Sequence, residues 1–243
     1  MTDGTIRIAM WSGPRNISTA MMRSFENRPD CAVWDEPFYA AYLAETGIDH
    51  PMRAEVLAAG ETDWRRVRDR VLGDAPGGKP VFYQKHMTHH MVPGIDRSWI
   101  SRLSNAFLIR APERVLASYA RKRADVALAD IGFVEQAELF DMLAETSGAA
   151  PPVIDADDVL ANPRRVLGAL CRAVGIEFRE EMLSWPPGQR DSDGVWAAHW
   201  YGAVERSQGF QDPPPPPPPL DDTLKRIADE ARPCYERLKA YRL

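Results

Sequence analysis

The stretch that decides the fold is Ile6-Arg-Ile-Ala-Met-Trp-Ser-Gly-Pro-Arg-Asn-Ile-Ser-Thr-Ala-Met-Met-Arg-Ser-Phe25. Residues 5–11 form a short apolar run that predicts a buried strand, and a tight polar turn follows it. Apolar residues then recur at helical spacing, which predicts a helix over residues 17–28 that Pro29 stops. A strand, a glycine-containing turn and a helix start are typical of a phosphate-binding loop, because backbone N–H groups and the helix dipole favour an anion there.

The side chains of this turn add to its affinity for anions. Arg15 supplies a positive charge, and Ser18 and Thr19 supply hydroxyl donors in the first helical turn. The loop is not the usual nucleoside-triphosphate motif, because the spacing Gly-x-x-x-x-Gly-Lys-Ser/Thr would require glycine at Ser18 and lysine at Thr19. We therefore predict a shorter phosphate loop. The alternative is an ordinary strand-turn-helix with a surface arginine.

The composition limits the classes of function. The chain has 243 residues, enough for one large or two small domains, and its net charge of -5 gives no sign of a nucleic-acid surface. No apolar run approaches the roughly 20 residues of a membrane helix, and the N-terminus does not resemble a signal peptide. Three cysteines lie far apart, which favours free thiols over a disulfide or metal framework. We expect a cytoplasmic protein without a metal, a nucleic-acid partner or a membrane partner.

Strands alternate with helices along the rest of the chain. Short apolar runs predict four more strands, at residues 31–34, 80–86, 105–110 and 152–155. This alternation predicts an α/β fold with three layers, α/β/α, around a central, mainly parallel sheet. Residues 1–243 are treated as a single domain. Within it, residues 40–78 are predicted to be a helical excursion with breaks, and residues 211–220 a proline-rich linker. The linker precedes a C-terminal helix that Pro233 breaks or kinks.

Polar residues at the strand ends are candidate site residues, because ligands of open α/β sheets gather at the carboxyl ends of strands. Glu36 follows the second strand and is either a general base or the cap of a helix that starts near Pro37. His86 ends the third strand, and an imidazole titrates near neutrality, which suits a general base. A metal site made from His86, His89 and His90 is disfavoured, because their loop has no acidic partner in sequence.

Two later stretches add further candidates. Arg110 precedes a helix that Pro112 starts, and Ser118 lies about two turns along that helix. One anion can therefore contact both residues only if the ligand crosses the N-terminal half of the helix. Residues 191–210 are rich in aromatic side chains. This pattern predicts either a helix packed by aromatic rings or a lid over a ligand.

Three of these stretches, in order, resemble the PAPS-dependent sulfotransferases, where PAPS is 3′-phosphoadenosine 5′-phosphosulfate. Residues 12–19 are similar to the family's 5′-phosphosulfate loop, and residues 108–119 to its 3′-phosphate segment, in which a serine follows an arginine by eight residues. Residues 154–176 are similar to the strand, acidic turn and packing helix that precede the family's C-terminal region. The resemblance covers roughly residues 5–180 and implies a sulfotransferase fold of the P-loop NTPase-like type.

The resemblance implies a role for each matching residue. PAPS would be the sulfuryl donor, with its 3′-phosphate on Arg110 and Ser118 and its 5′-phosphosulfate on the loop residues Gly13, Pro14, Arg15, Asn16, Ile17, Ser18 and Thr19. The reaction would be in-line transfer of a sulfuryl group to a hydroxyl or amine of a small-molecule acceptor. The catalytic residues would be His86 as the first choice of base, Glu36 as the second, and Arg15, which stabilises developing charge.

The match to the family is incomplete at two places. The family's Lys-x-His pattern appears here as Gln84-Lys85-His86, with the lysine shifted by one position. The family's Gly-rich basic loop is not recognised, and residues 194–210 stand in its place. Aromatic side chains that suggest an acceptor pocket, with core packing as the alternative, are Trp34, Phe38, Tyr39, Trp196, Trp200 and Tyr201.

Two other functions stay open at this point. One is a non-catalytic nucleotide-binding or protein-docking module that uses the proline run as a ligand. The other is a small-molecule kinase with an altered phosphate loop, in which Asp35 would bind Mg²⁺. The sequence does not define an oligomeric state and leaves a homodimer open.

Overall fold

The five strands that the sequence predicts form one parallel sheet. The computed structural model describes residues 4–121 and 126–243 and has the strand order β2-β3-β1-β4-β5. The strands are β1 (Ile6–Ser12), β2 (Cys31–Asp35), β3 (Val81–Met87), β4 (Ser104–Ile109) and β5 (Val153–Asp155). The central strand β1 pairs in parallel with β3 on one side and β4 on the other. The strand order therefore reverses beside β1, where doubly wound sheets form a ligand crevice.

The helices connect the strands and cover both faces of the sheet. The first four helices are α1 (Ser18–Glu26), α2 (Tyr39–Thr46), α3 (Arg53–Ala59) and α4 (Trp64–Val71). Three follow before β5, namely α5 (Pro112–Tyr119), α6 (Leu128–Ile131) and α7 (Phe133–Ser147). After β5 come α8 (Ala156–Ala161), α9 (Pro163–Ala173), α10 (Ala197–Trp200) and α11 (Asp222–Lys239).

Side chains of β1 alternate between two hydrophobic cores. Ile8 and Met10 pack with the apolar residues of α1, α8 and α9. Ala9 and Trp11 pack with those of α4, α5, α7 and α11 on the opposite face. Because successive strand residues point to opposite faces, one sheet separates the two cores. The predicted three-layer α/β/α architecture is confirmed.

Two predictions about helix ends are corrected. Helix α2 has Phe38 at its N-cap and no side-chain cap, so it starts two residues after Pro37, and Glu36 does not cap it. Helix α11 continues through Pro233, so the predicted break is wrong, whereas a kink at this residue stays a prediction. The predicted helical excursion resolves into α2, α3 and α4 with short connections, and residues 211–220 run without helix or strand.

The cysteines, the possible metal ligands and the hydrophobicity of the helices concern three expectations from the sequence. Cys31, Cys171 and Cys234 are free thiols, of which the first two are buried. Within residues 4–121 and 126–243, no group of three or more His, Cys, Asp or Glu side chains is placed to hold a metal ion. None of the helices in these two ranges is both long enough and apolar enough to span a bilayer.

Candidate active site

A cavity of about 380 Å³ opens at the carboxyl edge of the sheet. Its walls come from the loop between β1 and α1, the ends of β2 and β3, residues 110–119, and residues 196–214. The candidate residues that line it are Pro14, Arg15, Asn16, Ile17, Ser18, Thr19, Glu36, Arg110 and Ser118. Gly13 and His86 are not among the lining residues. The fold thus brings most of the predicted site residues together in one place.

Gly13 lies where the loop packs closely against the end of α6. A Cβ at this position would lie 2.4 Å from the carbonyl oxygen of Ile131, closer than real contacts allow, so only glycine fits without a backbone shift. On the other side of the loop, Asn16 Nδ2 donates to the carbonyl oxygen of Leu108 at 3.3 Å. These two contacts hold the loop between the end of α6 and the end of β4.

The loop leaves the N-terminus of α1 open towards the cavity. Ile17 precedes the helix in the left-handed conformation, and no side chain of the described residues caps it. Arg15 and Ile17 have φ values of 61° and 59°, which non-glycine residues rarely adopt and which are found at ligand-binding loops. The first-turn N–H groups of Ser18 and Thr19 and the helix dipole are therefore available to an anion.

Two arginines flank this helix start. Arg15 Nε donates to Ser118 Oγ at 2.9 Å, and Arg110 Nη1 donates to the carbonyl oxygen of Arg15 at 2.8 Å. Burial lowers the pKa of both guanidinium groups, yet arginine remains charged at neutral pH. Arg110 has Asp157 at 3.9 Å, whereas no carboxylate of the described residues pairs with Arg15. A half-buried cation without a counter-ion is suited to an anionic ligand.

A buried polar network closes the other side of the cavity. Lys85 Nζ contacts Asp35 Oδ1 at 2.8 Å, Glu36 Oε1 at 2.7 Å and the hydroxyl of Tyr201 at 2.6 Å. The Tyr201 hydroxyl donates to Asp35 Oδ2 at 2.6 Å and accepts from Trp196 Nε1 at 3.1 Å. Burial alone would lower the pKa of Lys85, but the two carboxylates outweigh it and raise that pKa well above its ordinary value. The ammonium stays charged, and its three N–H donors are all used.

Glu36 is the carboxylate of this network that reaches the cavity. It has a φ of 42°, and its backbone N–H donates to the carbonyl oxygen of Lys85 at 2.9 Å. Its Oε1 accepts from Lys85, and Oε2 has no hydrogen-bond partner among the described residues. Burial raises the pKa of Glu36, the charge of Asp35 raises it further, and Lys85 opposes both. One carboxylate oxygen is therefore available to accept a proton.

His86 lies on the opposite face of β3 from this network. Its ring stacks on Trp11 with centroids 4.4 Å apart, and its Nε2 lies 3.1 Å from Gln84 Oε1. Burial lowers the pKa of His86 to about 3, so the imidazole is neutral. Because neighbouring strand residues point to opposite faces, Lys85 and not His86 reaches the cavity. This placement corrects the choice of His86 as the first candidate for the base.

Aromatic side chains border the Glu36 side of the cavity. Of the six suggested aromatics, the lining includes Tyr39, Trp196, Trp200 and Tyr201, whereas Trp34 and Phe38 pack in the core around α4. The segment 191–210 contains the four-residue helix α10 and turns, not a long helix. His89 and His90 also line the cavity, and burial lowers the pKa of both imidazoles, to about 3 in the case of His89. The pocket beside Glu36 is thus aromatic and carries neutral imidazoles.

Comparison with known proteins identifies the family and the fold of the chain. The sequence profile of a family described as a sulfotransferase domain matches residues 6–242, so the chain belongs to that family. A sulfotransferase from Alicyclobacillus acidocaldarius has a TM-score of 0.57 at 11% identity and covers 98% of this chain and 95% of its own. The sulfotransferase domain from the curacin biosynthetic pathway has a TM-score of 0.51 at 18% identity, covering 94% and 98%. These structures establish a shared sulfotransferase fold of the P-loop-like type, and family and fold together support a transferase.

Sequence relatives are found in a plant. The branched-chain-amino-acid aminotransferase-like proteins 1 and 2 of Arabidopsis thaliana are 35% and 33% identical to this chain over 235 residues. The match covers 96% of this chain but only 42% and 41% of the two relatives. The chain therefore spans less than half the length of these relatives, and their names describe larger proteins.

Proposed function

We propose that the chain transfers a sulfuryl group from PAPS to a hydroxyl or amine of a small-molecule acceptor. One observation carries this proposal: a single cavity combines an uncapped helix N-terminus beside Arg15 with the free carboxylate oxygen of Glu36. The first feature suits an anionic donor, and the second suits removal of a proton from an acceptor. Membership of the sulfotransferase domain family supports the same reaction class.

The donor end offers two groups of residues for phosphate, which the hydrogen bond from Arg15 Nε to Ser118 Oγ joins. The loop residues Arg15 to Thr19 and the start of α1 suit a 5′-phosphosulfate. Arg110 and Ser118 line the same cavity and suit a second phosphate, which PAPS carries on its 3′ position and ATP lacks. Both groups fit the donor that the sequence resemblance implies, and this agreement is why PAPS is proposed rather than ATP.

The proposed reaction is a direct displacement at sulfur. The acceptor oxygen or nitrogen forms a bond to sulfur while the bond between sulfur and the 5′-phosphate oxygen breaks. Glu36 takes the acceptor proton, and adenosine 3′,5′-bisphosphate leaves. Arg15 and the α1 N-terminus stabilise the negative charge that grows on the departing phosphate. Lys85 acts through Glu36, because its three N–H donors are already engaged.

A transfer assay tests the donor and the reaction class together. The protein is incubated with [35S]PAPS and a panel of small alcohols, phenols and amines, and parallel reactions contain [γ-32P]ATP with Mg²⁺. We expect label transfer from PAPS to at least one acceptor and none from ATP. Transfer from ATP alone would overturn the proposal in favour of a kinase.

A further inference from the structure

Asp35 is the centre of the buried network that holds Glu36. Its Oδ1 accepts from Lys85 at 2.8 Å, while its Oδ2 accepts from Tyr201 at 2.6 Å and from the backbone N–H of Gly194 at 3.3 Å. The Asp35 and Lys85 side chains are only 1% and 2% exposed. One carboxylate therefore connects the end of β2, the end of β3 and the segment that carries α10.

The charges in this network do not balance. Two carboxylates, Asp35 and Glu36, face the single ammonium of Lys85, so the cluster holds one excess negative charge. Buried charge without a counter-ion is costly, and a proton on Glu36 removes that cost. If Asp35 were neutral, Lys85 would pair with Glu36 alone and hold it as a fully compensated carboxylate.

The other titratable side chains beside Glu36 include phenols and imidazoles of the cavity lining. The phenol of Tyr39 on α2 and the phenol of Tyr201 have pKa values raised by burial, and the pKa of His90 is lowered by burial. His50 lines the same cavity and contacts the Tyr39 hydroxyl. Within the described residues around Glu36, Asp35 and Lys85 are therefore the charges that act on it most directly, and they act in opposite directions.

We propose that Asp35 is a positioning residue that makes Glu36 a proton acceptor. Asp35 shares the Lys85 ammonium with Glu36 and accepts two further hydrogen bonds, so Glu36 is the less stabilised of the two carboxylates. When the acceptor proton moves to Glu36, the cluster passes from one excess negative charge to neutrality. This role rests on the proposed function in one respect, namely that the proton taken up by Glu36 comes from the acceptor. The electrostatic effect of Asp35 on Glu36 exists with or without turnover.

The direct test is a titration of Glu36 by ¹³C NMR, with the side-chain carboxyl carbons of glutamate labelled. The Glu36 signal is assigned by its absence in Glu36→Gln, and its midpoint is compared between the wild type and two variants. Asp35→Asn removes the repelling charge and should move the midpoint to lower pH. Lys85→Met removes the attracting charge and should move it to higher pH. A general loosening of the site is not expected to shift the Glu36 midpoint in opposite directions in these two variants.

Two control variants separate charge from packing. Tyr201→Phe keeps every charge and removes only the hydroxyl, so its midpoint should move less than that of Asp35→Asn. Asp193→Asn disturbs the same chain segment through its pair with Arg23, 2.6 Å away, without touching Lys85 or Glu36. Its Glu36 midpoint should stay near the wild-type value. Each variant is first checked by far-UV circular dichroism.

Each outcome of the titration either supports or overturns the role of Asp35. A midpoint that is unchanged or higher in Asp35→Asn, with the fold intact, would overturn the role of Asp35. If Lys85→Met does not fold, the role of Asp35 is decided by comparing the Glu36 midpoints of Asp35→Asn and Tyr201→Phe. The titration needs no turnover, so a protein that moves no sulfuryl group would contradict the proposed function and leave this test valid. Where transfer is observed, the acid limb of kcat/KM should move in the same direction as the NMR midpoint.

Discussion

The two ends of the cavity are built in different ways. The donor end comes mainly from one continuous stretch, residues 14–20, which Arg110 and Ser118 supplement. The acceptor end is assembled from the ends of β2 and β3 and from residues 196–201, which are far apart in sequence. The donor end is held by backbone geometry and by single side-chain hydrogen bonds, whereas the acceptor end is held by a connected network of buried side chains. Anion binding and proton removal should therefore respond to different substitutions.

The largest expected effect separates the two ends most clearly. Glu36→Gln removes the proposed base and should slow transfer about 10²- to 10⁴-fold, the usual contribution of general base catalysis. Binding of adenosine 3′,5′-bisphosphate should not weaken, because Glu36 belongs to the acceptor end. Rates are measured with [35S]PAPS and the best acceptor of the wild type, and calorimetry measures binding. Glu55→Gln, on the surface of α3, is the matched control. A rate near that of the wild type would remove Glu36 from the mechanism.

The next largest effect acts at the donor end. Arg15→Ala removes a preorganised cation and should raise the barrier by about 2–4 kcal/mol, roughly 30- to 1000-fold in rate. Unlike Glu36→Gln, it should also weaken binding of the bisphosphate. The control is Arg66→Ala, whose side chain is 75% exposed on α4. Normal transfer by Arg15→Ala would contradict the assigned role.

The pH dependence should report the acceptor end. In its proposed role as the base, Glu36 acts only as a carboxylate, so kcat/KM should fall as the pH drops through the pKa of Glu36. Burial raises this pKa above the ordinary value of 4.5, so the loss should begin at a higher pH than for an exposed glutamate. His86 should not contribute a limb near pH 6.5, because burial lowers its pKa to about 3. An acid limb that persists unchanged in Glu36→Gln would assign the titration to another group.

The smallest effect on catalysis is expected at His86. His86→Phe keeps an aromatic ring against Trp11 and removes the contact with Gln84 Oε1. The transfer rate should stay close to that of the wild type, while the free energy of unfolding falls by about 1–3 kcal/mol because a buried acceptor loses its partner. Denaturant unfolding measures the second quantity. A loss of rate as large as that of Glu36→Gln would restore His86 as a candidate base.

The same contrast explains what could be predicted from the sequence. The loop from Gly13 to Thr19 is a local pattern, and the strand-turn-helix around it appears in the structure as predicted. The sequence does not show which residues of β3 face the cavity, because all seven residues of Val81–Met87 are buried and do not alternate between polar and apolar. From the sequence alone, His86 could therefore not be placed on the strand face that points away from the cavity. The contact between Asp35 and Tyr201 joins residues 166 positions apart and depends on tertiary packing.

The measurement that tests the central claim most directly is calorimetric titration with adenosine 3′,5′-bisphosphate, with ATP and 5′-AMP as controls. The account predicts tight binding of the bisphosphate and weak binding of both controls. In Arg110→Ala the affinity should fall roughly 10- to 150-fold, which corresponds to the loss of about 1.5–3 kcal/mol from a charged hydrogen bond. Absence of bisphosphate binding, or a preference for ATP with Mg²⁺, would contradict the account and favour a kinase.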